Sequence, residues 1–121
     1  MNILYVEDNA ANARLVAKYL ALKPGVSLFE AVSAEQGLAL AQAHHLDLIL
    51  MDVNLPGMSG TQALLALRRD PLLCAIAVVA VSADALPINV QAAMALGFND
   101  YLTKPLDFRR FDQVIARYRP A

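Results

Sequence analysis

The apolar residues of this chain fall into short unbroken runs, separated by stretches in which they recur every three or four positions. The runs at residues 3–6 (ILYV), 26–31, 48–51 (LILM) and 76–81 read as strands, and the shorter 100–103 reads as a fifth. Runs without alternation, such as 48–51, belong to strands covered on both faces. Between them lie helical stripes: Leu15, Val16, Tyr19 and Leu20; Leu38 and Ala41; Leu64, Leu65 and Leu67; Leu86, Val90, Ala93 and Met94; and Phe108, Phe111, Ile115 and Tyr118. The punctuation agrees. Asn9, Asp84 and Asp107 are placed to cap the first, fourth and fifth helices, and Ser33 with Gln36 and Ser59 with Gln62 have capping-box spacing. Pro24-Gly25, Asp70-Pro71 and Gly97 supply stops. Strand and helix alternate five times, which predicts one doubly wound α/β domain over residues 1–121, a parallel sheet with helices on both faces. Right-handed crossovers then bring every strand's carboxyl end to one edge.

Composition narrows the class without choosing a function. The 121 residues are 58% hydrophobic with a formal net charge of −1, so no basic patch invites nucleic acid. The apolar run 72–81 is half the length of a membrane span, and no charged leader precedes the first strand, which makes the cytoplasm the expected compartment. Cys74 is the only cysteine and, inside that run, is expected to be a small core residue. His44 and His45 sit near a helix end, where they complement its dipole. Adjacent residues do not share a helix face, unlike the i, i+4 pair that a helical zinc site uses.

The chemistry concentrates where the strands end. Residues 47–60 read DLILMDVNLPGMSG, an apolar run that ends on Asp52 and breaks at Pro56-Gly57. Asp52 is either a turn cap or a functional carboxylate at the sheet edge where open α/β sheets bind ligands. The other strands add Glu7 and Asp8, Ser82, and Lys104 to the same edge. Three carboxylates ~5 Å apart at an effective dielectric of ~20 repel by about 3 kcal/mol per pair, so a cation is expected among them. Oxygen donors without cysteine or histidine favour Mg²⁺. Lys104 adds a fixed positive charge, which would also form a resting salt bridge, and Ser82 adds a hydroxyl. Together these groups describe a phosphoryl-transfer site with a carboxylate as nucleophile.

The stretches ILYVEDN, LILMDVNLPGMSG, AVVAVSADA and DYLTKPLD, in this order and at these strand ends, resemble the receiver domain of bacterial two-component response regulators over essentially the whole chain. The resemblance is greatest to receivers attached to hybrid sensor histidine kinases. It implies a flavodoxin-like fold with strand order 2-1-3-4-5. Asp52 becomes the phosphoacceptor, taking a phosphoryl group from phosphohistidine on a histidine kinase or histidine phosphotransfer protein. Asp8 and Asp52 with the main-chain carbonyl of Asn54 become Mg²⁺ ligands, with Glu7 acting through a metal-bound water. Lys104 becomes the family's lysine, followed by a cis bond to Pro105, while Ser82 and Tyr101 form a conformational switch. Asn54 and Asp84 stand where the family tunes phosphoryl lifetime. From the residues alone, Tyr101 is simply an edge-strand aromatic that packs. Glu7 and Ser82 replace the commoner Asp and Thr.

The resemblance also implies a signalling domain that catalyses only its own phosphorylation and dephosphorylation, either free-standing or part of a hybrid kinase. The fourth and fifth helices are the expected partner or dimer surface. The rival enzyme is a haloacid-dehalogenase-type phosphohydrolase, but its motif wants a second acid where Asn54 stands. A flavin or nucleotide binder would need a phosphate-cradling loop where Glu7-Asp8-Asn9 would repel an anion. A pseudo-receiver would lack some of the required side chains, all of which are present.

Overall fold

Strand β3 (Leu48–Asp52) lies at the middle of the sheet and buries all five of its residues. The computed structural model describes residues 1–120; the expectation that Ala121 directly follows the last helix lies outside them. Around β3 are β1 (Asn2–Val6), α1 (Ala10–Ala21), β2 (Ser27–Ala31) and α2 (Ala34–Ala43). Beyond it are α3 (Gly60–Arg69), β4 (Ala77–Ser82), α4 (Pro87–Leu96), β5 (Asp100–Thr103) and α5 (Phe108–Tyr118). The strands form one parallel sheet in the order β2-β1-β3-β4-β5. Chain order reverses direction between β1 and β3, the crevice at which such sheets bind ligands.

Two cores follow from the two-residue period of the strands. Ile3, Tyr5, Leu48, Leu50, Val79, Val81 and Leu102 face α1 and α5, where Val16, Leu20, Phe111, Val114 and Ile115 meet them. Leu4, Val6, Ile49, Met51, Val78, Ala80 and Tyr101 face the opposite layer, against Ala34, Ala41, Ala63, Leu64 and Leu67. Each fully buried aliphatic side chain contributes about 1.5–3 kcal/mol, so the central strands dominate the stability.

Local signals were mostly realised. Asn9, Ser33, Ser59 and Asp107 each accept a hydrogen bond from a first-turn N–H. The Ser59–Gln62 box is complete, whereas Gln36 turns back to the N–H of Val32 instead of that of Ser33. Lys104-Pro105 is cis and Gly97 has φ +119°.

Four expectations need correction. Asp84 does not cap α4: Pro87 occupies the first turn and moves the helix start beyond it, with Leu86 as the N-cap residue. The Asp84 carboxylate instead accepts from the Leu86 N–H at 3.0 Å and from Asn89 Nδ2 at 2.7 Å. The stripe on α4 is largely outside the core: no α4 residue is fully buried, Val90 and Ala93 touch the core only partly, and Ile88 is 73% exposed. Leu15 of α1 is likewise half exposed. Finally, Cys74 is not a core residue: residues 72–75 form a turn ahead of β4. Leu72 is 90% exposed and Cys74 lies on the surface, because Arg68 recruits the carbonyls of Cys74 and Ile76 and holds this segment outside the sheet.

His44 ends α2 with its ring 4.5 Å from that of Phe29, and His45 lies 3.4 Å from Asp47. Among the described residues no helix is long and apolar enough to cross a membrane.

Candidate functional site

The strand period that divides the core also sorts the side chains at the carboxyl edge. Glu7 continues the Ile3–Tyr5 parity, Asp52 that of Leu48–Leu50, and Lys104 that of Leu102, all toward the α1 and α5 side. Ser82 continues the parity of Val78 and Ala80, which is also that of Tyr101, toward the other side. A cluster and a pair result.

In the cluster, Lys104 Nζ lies 2.8 Å from Glu7 Oε1 and 2.9 Å from Asp52 Oδ2. Glu7 and Asp52 are buried, and Asp8 is exposed at the mouth. One oxygen of each of the three carboxylates lies within 4.8 Å of the others. The predicted ammonium is therefore in place, but it is one positive charge against three negative ones. The Asn54 N–H donates to Asp52 Oδ1 at 2.9 Å and fixes the carboxylate over the turn that follows β3. That turn is tight. The first residue of α3, Gly60, sits so near that a Cβ there would lie 2.3 Å from the Asp52 carbonyl oxygen, which restricts the position to glycine.

Burial raises the Glu7 carboxyl above its ordinary value, and contact with Asp52 adds to the rise while hydrogen bonds from Lys104 and Asn12 oppose it. For Lys104, burial lowers the ammonium, but the hydrogen bonds to Glu7 and Asp52 outweigh it and the net direction is upward. Burial and then Glu7 push the Tyr5 hydroxyl upward, so Tyr5 is a donor at any physiological pH. Glu7 Oε2 is buried and has no hydrogen-bond partner among the described residues. An all-oxygen donor set with one orphaned anionic oxygen suits a hard divalent cation.

The pair meets at Asp84. Ser82 Oγ accepts from the Asp84 N–H at 3.1 Å, and the Tyr101 hydroxyl donates to the Asp84 carbonyl at 2.7 Å. Tyr101 is buried, as the packing aromatic read from sequence would be. Asp84 joins the two residues through its backbone, while its carboxylate serves the turn before α4.

Every predicted site residue lies at this edge. Two neighbours were not predicted. Tyr5 donates to Glu7 Oε1 at 3.3 Å and Asn12 Nδ2 donates to the same oxygen at 2.9 Å. The period-two relation of Tyr5 to Glu7 was available in the sequence; the aim of Asn12 depends on how α1 leaves the strand.

Known proteins share this sequence pattern and this fold. The profile of the response regulator receiver domain matches residues 3–116. The chain is 36% identical over 123 residues to hybrid signal transduction histidine kinase G of Dictyostelium discoideum, covering 99% of this chain and 4% of that protein. It is 34% identical over 117 residues to the polar-differentiation response regulator DivK of Brucella ovis, covering 97% of this chain and 94% of that one. Several relatives are much longer, and the chain spans only 4% to 50% of their lengths. Among solved structures, the receiver domain of a Pseudomonas aeruginosa sensor histidine kinase, with a magnesium ion coordinated in its active-site cleft, superposes with a TM-score of 0.86 at 28% identity. It covers 97% of this chain and 95% of that one. The receiver domain of a Saccharomyces cerevisiae response regulator, crystallised with its histidine phosphotransfer protein, gives 0.87 at 27% identity, covering 98% and 88%.

Proposed function

The chain belongs to the response regulator receiver domain family of two-component signalling, and from that premise we propose that it accepts a phosphoryl group on Asp52 from a phosphohistidine. The observation that carries this reading is the Lys104 ammonium bridging Asp52 and Glu7 at the carboxyl edge, where one nucleophilic carboxylate meets the charge a phosphoryl oxygen needs.

A carboxylate oxygen of Asp52 attacks phosphorus as the P–N bond to the donor imidazole breaks, giving an aspartyl phosphate and a free histidine. Lys104 then moves its hydrogen bond from Asp52 to a phosphoryl oxygen without leaving the site, and the Ser82 hydroxyl donates to another. Asp8 and Asp52, the main-chain carbonyl of Asn54 and, through water, Glu7 would hold Mg²⁺, which supplies charge neutralisation for the transferring group. When Ser82 turns toward the phosphoryl group it gives up the Asp84 N–H, and Asp84 also carries the Tyr101 contact. That shared residue is the route from phosphorylation to the surface. Asn54 and Asp84, each two residues beyond a strand end, set the lifetime of the phosphorylated state.

The donor on this reading is a histidine kinase or a histidine phosphotransfer protein, and the cytoplasm is the compartment the reading gives the domain. The exposed apolar residues of α4, Ile88 and Leu96 among them, favour that helix as the partner or dimer surface, whereas Phe111 of α5 is committed to the core. A hydrolase is disfavoured because position 54, where its motif has a second acid, carries the amide side chain of Asn54, which cannot act as a general acid.

Intact-mass spectrometry with Mg²⁺ and acetyl phosphate tests the proposal. The native protein is expected to gain one phosphoryl group and Asp52→Asn none. Sustained release of free phosphate without an adduct, or an adduct that survives Asp52→Asn, would overturn it.

A further inference from the structure

The two oxygens of Glu7 have unequal surroundings. Three donors converge on Oε1: Lys104 Nζ at 2.8 Å, Asn12 Nδ2 at 2.9 Å and the Tyr5 hydroxyl at 3.3 Å. Oε2 is buried and has none among the described residues. An oxygen that accepts two hydrogen bonds and touches an ammonium has no lone pair free for another partner, so any external cation or water must address Oε2.

We infer that Tyr5 and Asn12 are positioning residues, which fix Glu7 Oε1 on the protein so that Oε2 is the oxygen presented to Mg²⁺ or to a water bound to it. The inference rests on the Mg²⁺ reading above and specifies which atoms of this chain prepare the site.

Each residue is itself firmly held. Tyr5 precedes Glu7 by two residues on the same strand face and is 1% exposed, its ring locked into the core beneath α1 and α5. Asn12 lies in the first turn of α1, where its own N–H donates to the Asn9 cap at 3.0 Å while its side chain reaches Glu7. Lys104 cannot define the Glu7 rotamer alone, since it also holds Asp52. A glutamate has one more rotatable bond than the aspartate common at this position, and two fixed donors remove that freedom before the cation arrives.

Calorimetric titration of the whole chain with Mg²⁺ alone tests this. Tyr5→Phe and Asn12→Ala are each expected to raise Kd about tenfold, in the range usual for residues that orient a metal ligand. Glu7→Gln should also raise it. Tyr5→Phe added to Glu7→Gln should then cause no further loss, because Tyr5 acts only through Glu7. Metal-free thermal melts of the same variants separate positioning from folding. An unchanged Kd in both single variants, or additive losses in the double variant, would overturn the inference. Retention of native affinity by Glu7→Gln would overturn it as well. If the native protein bound no Mg²⁺ at all, the metal reading itself would fall, a result distinct from the others.

Discussion

Arg68 at the amino edge of the sheet and Glu7 at the carboxyl edge are both charged groups drawn away from water, and they are treated in opposite ways. The Arg68 guanidinium donates to the carbonyls of Cys74, Ile76 and Gly97 at 3.1, 2.7 and 2.8 Å and to Asn99 Oδ1 at 2.7 Å. Asn99 in turn accepts from the N–H of Val78 at 2.8 Å. One cation thereby fastens the end of α3, the approach to β4 and the turn before β5. Its partners are neutral and do not titrate. Burial lowers the Arg68 guanidinium, and neighbouring Cys74 opposes that only in part. At the carboxyl edge the partners are themselves charged, three acids share one ammonium, and an oxygen of Glu7 is left over. The amino edge is closed by its own hydrogen bonds, and the carboxyl edge is completed only by something from outside. Unpartnered charge, more than charge itself, marks the working end of this sheet.

The largest effect that would test this contrast is expected at Arg68. Arg68→Met removes four hydrogen bonds and leaves backbone carbonyls without donors, so urea unfolding should show a loss of about 3 kcal/mol, with Mg²⁺ affinity unchanged. A coupled loss of Mg²⁺ binding would break the separation between the two edges. At the other edge the sign should reverse. In metal-free buffer Asp52→Asn is expected to raise stability by about 1 kcal/mol, as one of three like charges disappears and Lys104 keeps Glu7. A fall in melting temperature would mean that the Lys104 pair outweighs the repulsion.

The pH dependence sharpens the same point. The Glu7 pKa in the folded protein is raised above its ordinary 4.5, so the folded state holds a proton that the unfolded state releases. This contribution to stability is complete below pH 4.5 and is lost as pH rises through the folded value. The metal-free unfolding free energy measured over this range should fall with rising pH, and Glu7→Gln should flatten the slope. The smallest effect is expected on α4, where Ile88→Ser should change stability by less than about 0.5 kcal/mol because Ile88 is outside both cores. A larger loss would show that this helix is packed more tightly than its exposure indicates.

The sequence alone determined the alternation of elements, the parallel sheet and the residues at its carboxyl edge. Those features depend on local periods and on caps such as Asn9 and Ser59, which act within a few residues. Because strand parity is also local, the convergence of Glu7, Asp52 and Lys104 followed once the strands were aligned in parallel. Asp84 was misjudged since a cap and a turn carboxylate look alike until Pro87 fixes where the helix begins. Cys74 and the α4 stripe were misjudged for a different reason: an apolar residue records a capacity for burial, whereas burial itself needs a surface opposite. Only the tertiary structure decided that Arg68 holds residues 72–76 outside the sheet, and that α4 offers just Val90 and Ala93 to the core. The division of Glu7 into a held oxygen and a free one was likewise beyond the sequence, because it depends on three donors from separate parts of the chain meeting within hydrogen-bond distance of a single atom.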